Sequence, residues 1–240
     1  MRQFTYFYSY DKIPTDYRFP HWHRFVWFQE RRFRSGTFRK GFEGIIKYHI
    51  TYKNNKDSGF YVGDTLLLYY SKGNLIKQFN GKFRLGLKKE IFLSARNEYY
   101  MSFGSSDALY SYDLTKEHDT KLDSMNHSST GVKILGYPCE KIEFHNIRMG
   151  PTKYYITTSY WSSKQILPVD RKYFKKWKYG SFDKFIDEAG SLYLQYQIDI
   201  QRFGQYSLST RIYTAFDIKE QALDEKMFTV DATKVKDPIE

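Results

Sequence analysis

Apolar and polar side chains alternate along several short stretches of the chain, and residues typical of turns separate these stretches. The stretch FEGIIKYHITYK, residues 42–53, places four apolar side chains on one face: Ile46, Tyr48, Ile50 and Tyr52. The opposite face carries Lys47, His49, Thr51 and Lys53. A period of two with one apolar face predicts a β-strand that is buried on one side only.

The same alternation recurs along the chain. DTLLLYYSKGNLIKQF predicts two strands joined by a tight turn at residues 71–74, and NEYYMSFGSSDALYSYDL predicts a hairpin with its loop at residues 104–107. Further strands are predicted in KFRLGL, GVKILGYPCEKIEF, TKYYITTSYW, SLYLQYQIDI and QYSLSTRIYTAFDI. Residues 54–59 predict a turn, and the polar residues 115–131 predict a long, weakly structured loop.

One helix is predicted, in GSFDKFIDEAG. Ser181 is expected as its N-cap and Gly190 as its C-terminal stop. The whole pattern predicts a mainly β (α+β) fold, with roughly ten strands in a large curved antiparallel sheet, a half-barrel, and one or two short helices. We divide the chain into a basic, aromatic N-terminal extension, residues 1–41, and a single half-barrel domain, residues 42–240.

Composition agrees with strands, because aromatic residues, which are enriched in sheets, make up 20% of the chain. The net charge of +11 is unevenly distributed. Residues 1–40 hold nine Lys or Arg against three Asp or Glu, a net +6, and the other 200 residues contribute the remaining +5. A nucleic-acid-binding surface over the whole protein is therefore not implied, although the first segment could attract phosphates or anionic lipid headgroups.

The single cysteine excludes an intramolecular disulfide and a multi-cysteine zinc site. No run of about 18 apolar residues exists, so no membrane-spanning helix is expected. FVWF, near the start of the chain, is too short for the apolar region of a secretory signal, so no signal peptide is expected in this sequence.

The order of motifs resembles a known group of proteins. FEGIIKYHITY is followed by ILGYPCEKIEF, YYITTSYWSSKQILPV, a short helical segment, GSLYLQYQI and AFDIKEQALDEKMFTV. Over residues 42–231 this order resembles the DUF4412/GLPGLI-type envelope proteins of Bacteroidetes, whose fold is similar to that of the LolA/LolB lipoprotein carriers. The resemblance implies a half-open barrel with an apolar concave side and a helical lid, in the periplasm or cell envelope. The GLPGLI hexapeptide itself is absent, and QILPVD stands at residues 165–170.

Candidate catalytic groups are few. Cys139 has no evident base or helix N-terminus beside it, and we interpret it as a packing residue. His21 and His23 could share one face of a strand, but no third metal ligand is near them in the sequence. Phosphate-binding, dinucleotide-binding, nucleophile-elbow and zinc-protease motifs are missing. We therefore predict no catalytic residue, no metal site and no cofactor, and a protein that is not an enzyme.

The last two long strands carry the candidate ligand-binding residues: Leu192, Leu194, Tyr196, Ile198, Tyr206 and Tyr213. Apolar side chains together with the polar tips of tyrosines suit an amphipathic ligand. With the resemblance, this predicts an apolar cleft that binds a lipid, an acyl chain or a lipoprotein. Two alternatives remain open. One is polyanion binding, to nucleic acid or to an anionic membrane surface, through the first segment, with nucleic acid the less expected partner. The other is a purely structural or protein-interaction role.

Overall fold

In the computed structural model, the described residues are 41–53, 62–81, 86–104, 106–115, 120–150, 152–204 and 208–237, and every structural statement below concerns them. The predicted extension lies outside them apart from residue 41, so the division of the chain after that residue stays a prediction. The turn predicted at residues 54–59 and most of KFRLGL also lie outside the described residues.

The described residues form twelve strands. The first six are β1 Gly44–Lys53, β2 Thr65–Ser71, β3 Asn74–Phe79, β4 Leu87–Leu93, β5 Glu98–Phe103 and β6 Leu109–Asp113. The other six are β7 Thr120–Ile134, β8 Tyr137–Arg148, β9 Tyr154–Ser162, β10 Tyr193–Arg202, β11 Leu208–Glu220 and β12 Val235–Lys236. The helices are α1 at Phe182–Ala189 and 3-10 helices at Arg171–Tyr173, Tyr179–Ser181, Glu225–Phe228 and Ala232–Lys234.

All twelve strands belong to one open, curved sheet in the order β12-β6-β5-β4-β3-β2-β1-β11-β10-β9-β8-β7. Neighbouring strands are antiparallel except β12 and β6, which are parallel. The predicted mainly β fold, built on a large, curved, half-barrel-like sheet with few short helices, is therefore confirmed. Within the described ranges, no helix is long and apolar enough to cross a membrane.

Two tight turns fix the register of their hairpins. Lys72 and Gly73 both have positive φ angles, 49° and 85°, between β2 and β3. Positive φ at both central residues is the turn geometry whose twist matches that of antiparallel strands. A side chain at position 73 would place its Cβ 2.4 Å from the side chain of Tyr173, so glycine is required there for space as well as for conformation. The turn predicted at residues 71–74 is thus confirmed.

The helix prediction is confirmed in position, and its two ends differ in outcome. Gly190 adopts a left-handed conformation with φ 65°, and its N–H donates to the carbonyl of Ile186 at 2.9 Å. Ser181 stands at the N-cap position, but its hydroxyl makes no capping hydrogen bond. That hydroxyl instead lies 3.4 Å from Oδ1 of Asn146 on β8, so Ser181 is the N-cap by position, and only the capping hydrogen bond expected of its side chain is wrong.

The polar loop predicted at residues 115–131 is wrong over most of its length, because residues from 120 onward form the 15-residue strand β7. Among the described strands, only β8 pairs with β7, which therefore lies at the edge of the sheet. An edge strand can keep both faces in water, and His127 and Val132 are both exposed. Its sequence consequently shows no apolar period from which a strand could be predicted.

The strict alternation predicted for β10 is interrupted at its start. The pattern predicts that five side chains share one face: Leu192, Leu194, Tyr196, Ile198 and Ile200. However, the pairing of β10 with β9 shifts by one residue between Tyr193 and Gln195. Such a bulge sets two residues against one and changes which face the following side chains occupy. As a result Tyr193 packs with Tyr196, at a ring distance of 5.6 Å.

The sheet carries an apolar cluster on each face. We call the face with the larger cluster the inner face; it includes Ile46, Tyr48, Tyr70, Phe92, Tyr160 and Tyr193. The outer face carries a smaller cluster over β3–β5, which the C-terminal segment covers with Leu223 and Phe228. The inner face therefore holds the main core, and it is the face on which α1 packs.

Candidate functional site on the inner face

Residues 163–190, which we call the lid, cover one end of the inner face. The ring of Trp177 stacks on Phe92 of β4 at 3.8 Å, and the ring of Phe185 stacks on Tyr160 of β9 at 4.2 Å. Five strands separate β4 from β9 in the sheet. In a flat sheet, six steps of about 4.8 Å would set these strands about 29 Å apart. A short lid can touch both only because the sheet curves around it, so the inner face is concave.

The inner face continues past the lid, and there its side chains are only half-buried. We call this region the open end; it is lined by Tyr52, Leu87, Met101, Tyr196 and Ile198. Four of these side chains pack against the main core, and Ile198 follows Tyr196 on the same face of β10. The apolar surface of the core is therefore not fully covered by the lid.

An ion pair stands on the apolar inner face. Lys77 of β3 and Glu90 of β4 are opposite each other in register, with Nζ 3.1 Å from Oε2 and side chains 19% and 9% exposed. The hydroxyl of Tyr99 donates to Oε1 of Glu90 at 2.7 Å. A charge buried in apolar surroundings is costly unless it is paired. Lys77 and Glu90 therefore hold each other in place among aromatic side chains.

Tyr213 of β11 is a buried tyrosine whose hydroxyl is influenced by charged groups of the inner face. Burial is the main cause that raises the pKa of Tyr213 well above its usual value. The positive charges of Arg211 and Lys77 act in the opposite direction, whereas Glu90 acts in the same direction as burial. Of these charged groups, Arg211 lies against the Tyr213 ring, with its guanidinium carbon 5.7 Å from the ring centre.

The predicted site residues are only partly brought together. The rings of Tyr196 and Tyr213 lie 5.2 Å apart, and Ile198 is in register with Arg211. Leu192 and Leu194 have no exposed surface and belong to the main core. Tyr206 lies outside the described residues.

Sequence reasoning missed the charged members of this region: Lys77, Glu90 and Arg211. The available signal was a charge at a position whose neighbours on the same face are apolar. Lys77 stands between Leu75 and Phe79 in the alternation of β3. A charged residue at such a position indicates either an exposed strand end or a buried partner, and only the structure distinguishes the two.

The outer face carries a polar network on β8 and β9. Glu143 accepts a hydrogen bond from the hydroxyl of Ser159 at 2.8 Å and forms a hydrogen-bonded ion pair with Lys141. Its carboxylate also lies 3.1 Å from Nε2 of His145. The other ring nitrogen of His145 lies 3.1 Å from the hydroxyl of Thr157. Among the described residues, no three His, Cys, Asp or Glu are grouped so that they could hold a metal ion. His21 and His23 lie outside these residues.

Cys139 is buried, at 5% exposure, near the start of β8. Its Sγ donates to the carbonyl of Tyr137 at 3.4 Å. Burial raises the pKa of the Cys139 thiol, and a backbone hydrogen bond at Ile134 opposes that shift in part. These surroundings agree with the interpretation of Cys139 as a packing residue, because an activated thiol needs a lowered pKa.

We therefore expect Cys139 to react slowly with a neutral thiol reagent at pH 7–8, at least about tenfold more slowly than a small free thiol. The thiolate is the reactive form, and both its low fraction and its burial protect it. The measurement is the labelling rate of the native protein, with the protein unfolded in guanidinium as the control that restores full reactivity. Native labelling as fast as that of the unfolded chain would contradict the packing interpretation.

No protein-family model matches the chain, and no curated protein matches it. The resemblance to envelope proteins therefore stays a prediction.

Proposed function

We propose that the protein is a non-catalytic binding protein that holds a lipid or an acyl chain against the open end of the inner face. The observation that carries this proposal is the row of half-buried apolar side chains beyond the lid, among them Met101, Tyr196 and Ile198. These side chains extend the core into a region that the lid leaves uncovered. Concave apolar surfaces with a few polar groups are the usual form of small-molecule sites.

The charged residues favour an amphipathic ligand with an anionic head. Arg211 is next to Ile198 in register, and its guanidinium carbon lies 5.7 Å from the centre of the Tyr213 ring. A guanidinium group suits carboxylate and phosphate because its donors match their paired oxygens. A fatty acid or a phospholipid would place its chain on Tyr196 and Ile198 and its head near Arg211. A lipoprotein as cargo and a location in the periplasm or cell envelope come from the resemblance alone and are part of the proposal.

The proposal predicts that Ile198→Asp lowers the affinity for a long-chain fatty acid at least about tenfold, because a carboxylate on the apolar surface opposes both the chain and the head. Displacement of a fluorescent fatty acid measures this affinity. Ile212→Asp is the matched control, since Ile212 is a half-buried isoleucine on the neighbouring strand but on the outer face. Equal losses in the two variants, or no loss in either, would contradict the proposal.

Native mass spectrometry of the mildly purified protein, with an organic extract of the same sample, tests the function directly. A co-purifying lipid supports lipid binding.

Polyanion binding through residues 1–41 is the second candidate, favoured by the net +6 of residues 1–40. It would weaken steeply with salt and disappear when residues 1–41 are deleted, whereas apolar burial would not.

A further inference from the structure

The tips of the β8–β9 and β10–β11 hairpins form an exposed aromatic surface. Phe203 is 59% exposed, Met149 is 54% exposed and Tyr155 is 39% exposed. The rings of Phe203 and Tyr155 lie 6.0 Å apart, and the N–H of Phe203 donates to the carbonyl of Lys153 at 2.9 Å. This hydrogen bond continues the pairing of β9 with β10, which holds the two hairpins side by side, so their exposed side chains form one surface, which we call the tip surface.

The tip surface is basic as well as aromatic. The Nζ atom of Lys153 lies 5.2 Å from the centre of the Phe203 ring and 5.7 Å from that of Tyr155. Arg148 and Arg202, at the ends of β8 and β10, are both exposed. Residues 147–153 and 201–204 contain no Asp or Glu. Three positive charges therefore accompany the exposed apolar side chains without an acidic residue among them.

We propose that the tip surface docks the protein on an anionic lipid bilayer. Aromatic residues favour the interface between headgroups and acyl chains, and Lys and Arg are attracted to anionic headgroups. A nucleic acid strand would need a basic groove with stacking platforms along it. Met149 and Phe203 instead stand at the ends of two hairpins, where they can enter the headgroup region while the strands remain outside.

The direction of β10 relates this surface to the open end. The strand runs from Tyr193, in the main core, through Tyr196 and Ile198 to Arg202 and the tip surface. A bilayer at the tips would therefore lie close to the open end, the part of the inner face that the lid does not cover. Docking itself needs only the tip surface, and it goes beyond the proposed lipid binding without depending on it.

Sedimentation of the full chain with vesicles tests the proposal, using phosphatidylcholine vesicles with and without phosphatidylglycerol. The double variant Met149→Ser/Phe203→Ser should bind anionic vesicles at least about tenfold more weakly, since two apolar side chains no longer enter the interface. The double variant Arg148→Gln/Arg202→Gln should bind them about 25-fold more weakly, at about fivefold for each charge, and should lose little on neutral vesicles.

The matched controls are Val132→Ser and Lys133→Gln, which change an exposed apolar side chain and an exposed charge near the β7–β8 turn. Lys133 pairs with Pro138, and Arg148 is ten positions further along β8, roughly 33 Å away at the usual rise. Both controls should bind vesicles like the unchanged protein, and unfolding midpoints of all variants should agree because the changed side chains are exposed.

The proposal would be overturned if the unchanged protein did not bind anionic vesicles, or if the tip variants bound them as tightly as the controls do. It would also be overturned if the tip variants kept vesicle binding and lost binding to single-stranded nucleic acid. Tip variants that bind like the unchanged protein would assign vesicle binding to another part of the chain, such as residues 1–41. Fatty-acid displacement by the tip variants separates the two proposals. If the tip variants still bind the fatty acid but no longer bind vesicles, docking is a property distinct from lipid binding. If the unchanged protein binds vesicles but no fatty acid, docking is supported and the proposed function is contradicted.

Discussion

Replacing Phe185 with alanine is expected to lower the free energy of unfolding by about 3–5 kcal/mol, the range found for buried Phe→Ala changes. Phe185 is fully buried, and its ring stacks on Tyr160 at 4.2 Å with planes 17° apart. The side chain also lies 5.6 Å from Phe182 and 6.4 Å from Tyr193, measured between ring centres. Alanine would leave a cavity between the lid and the sheet that these rings cannot close without losing their own contacts.

Equilibrium unfolding in urea measures this loss, and Asp187→Ala is the control on the same helix. Asp187 is exposed, and its replacement should change the free energy of unfolding by no more than about 0.5 kcal/mol. A loss of less than about 1 kcal/mol in Phe185→Ala would show that the lid contributes little to the core. Tyr160 also lies 5.1 Å from Tyr196, so a loosened lid should in addition weaken fatty-acid binding at the open end.

The strands that the sequence predicts well are those with one face in the core. In β1, three of the four residues predicted inward, Ile46, Tyr48 and Ile50, are buried, because a sheet that covers one face with protein imposes a period of two on the sequence. The turn at residues 71–74 is equally predictable, since Gly73 has a positive φ angle that other residues rarely adopt. In these regions local chemistry and tertiary packing agree.

The predictions that were wrong concern features that depend on neighbouring strands. β7 lies at the edge because no described strand pairs with its outer side. The residues of β7 alone do not indicate this position. The bulge after Tyr193 is likewise a property of the pairing between β10 and β9, and a period of two continued through it misplaces Tyr193 relative to Tyr196. Alternation in a single sequence reports burial, and it does not report register.

The aromatic residues of the candidate site could be predicted from the sequence, whereas its charged residues could not. Tyr196 and Tyr213 stand at inward positions of two long predicted strands, and the structure places them in contact. Lys77, Glu90 and Arg211 come from distant parts of the chain. Lys77 and Glu90 pair across β3 and β4, and Arg211 lies against the Tyr213 ring on β11; which strands pair is a tertiary property that no local pattern encodes.

The ion pair on the inner face leads to the second prediction with a large effect. Lys77→Met and Glu90→Leu should each lower the free energy of unfolding by about 3 kcal/mol, because each leaves the other charge in apolar surroundings without its partner. The hydroxyl of Tyr99 donates to Glu90, and the ring of Phe92 lies 5.3 Å from Nζ of Lys77, so both charges are mostly surrounded by aromatic side chains, at 19% and 9% exposure.

The double variant Lys77→Met/Glu90→Leu should be more stable than the sum of the single changes implies, with a coupling energy of about 2 kcal/mol or more in a double-mutant cycle. It replaces two charges by apolar side chains of similar size in a region that is already apolar, so no unpaired charge remains. Urea unfolding of the four proteins measures the cycle, and the exposed pair Lys72–Glu225, with Nζ 2.8 Å from Oε1, is the control whose coupling should stay below about 1 kcal/mol. Additive losses at Lys77 and Glu90 would mean that water reaches these charges, and the inner face would then be more open and more polar at this point than a lipid site requires.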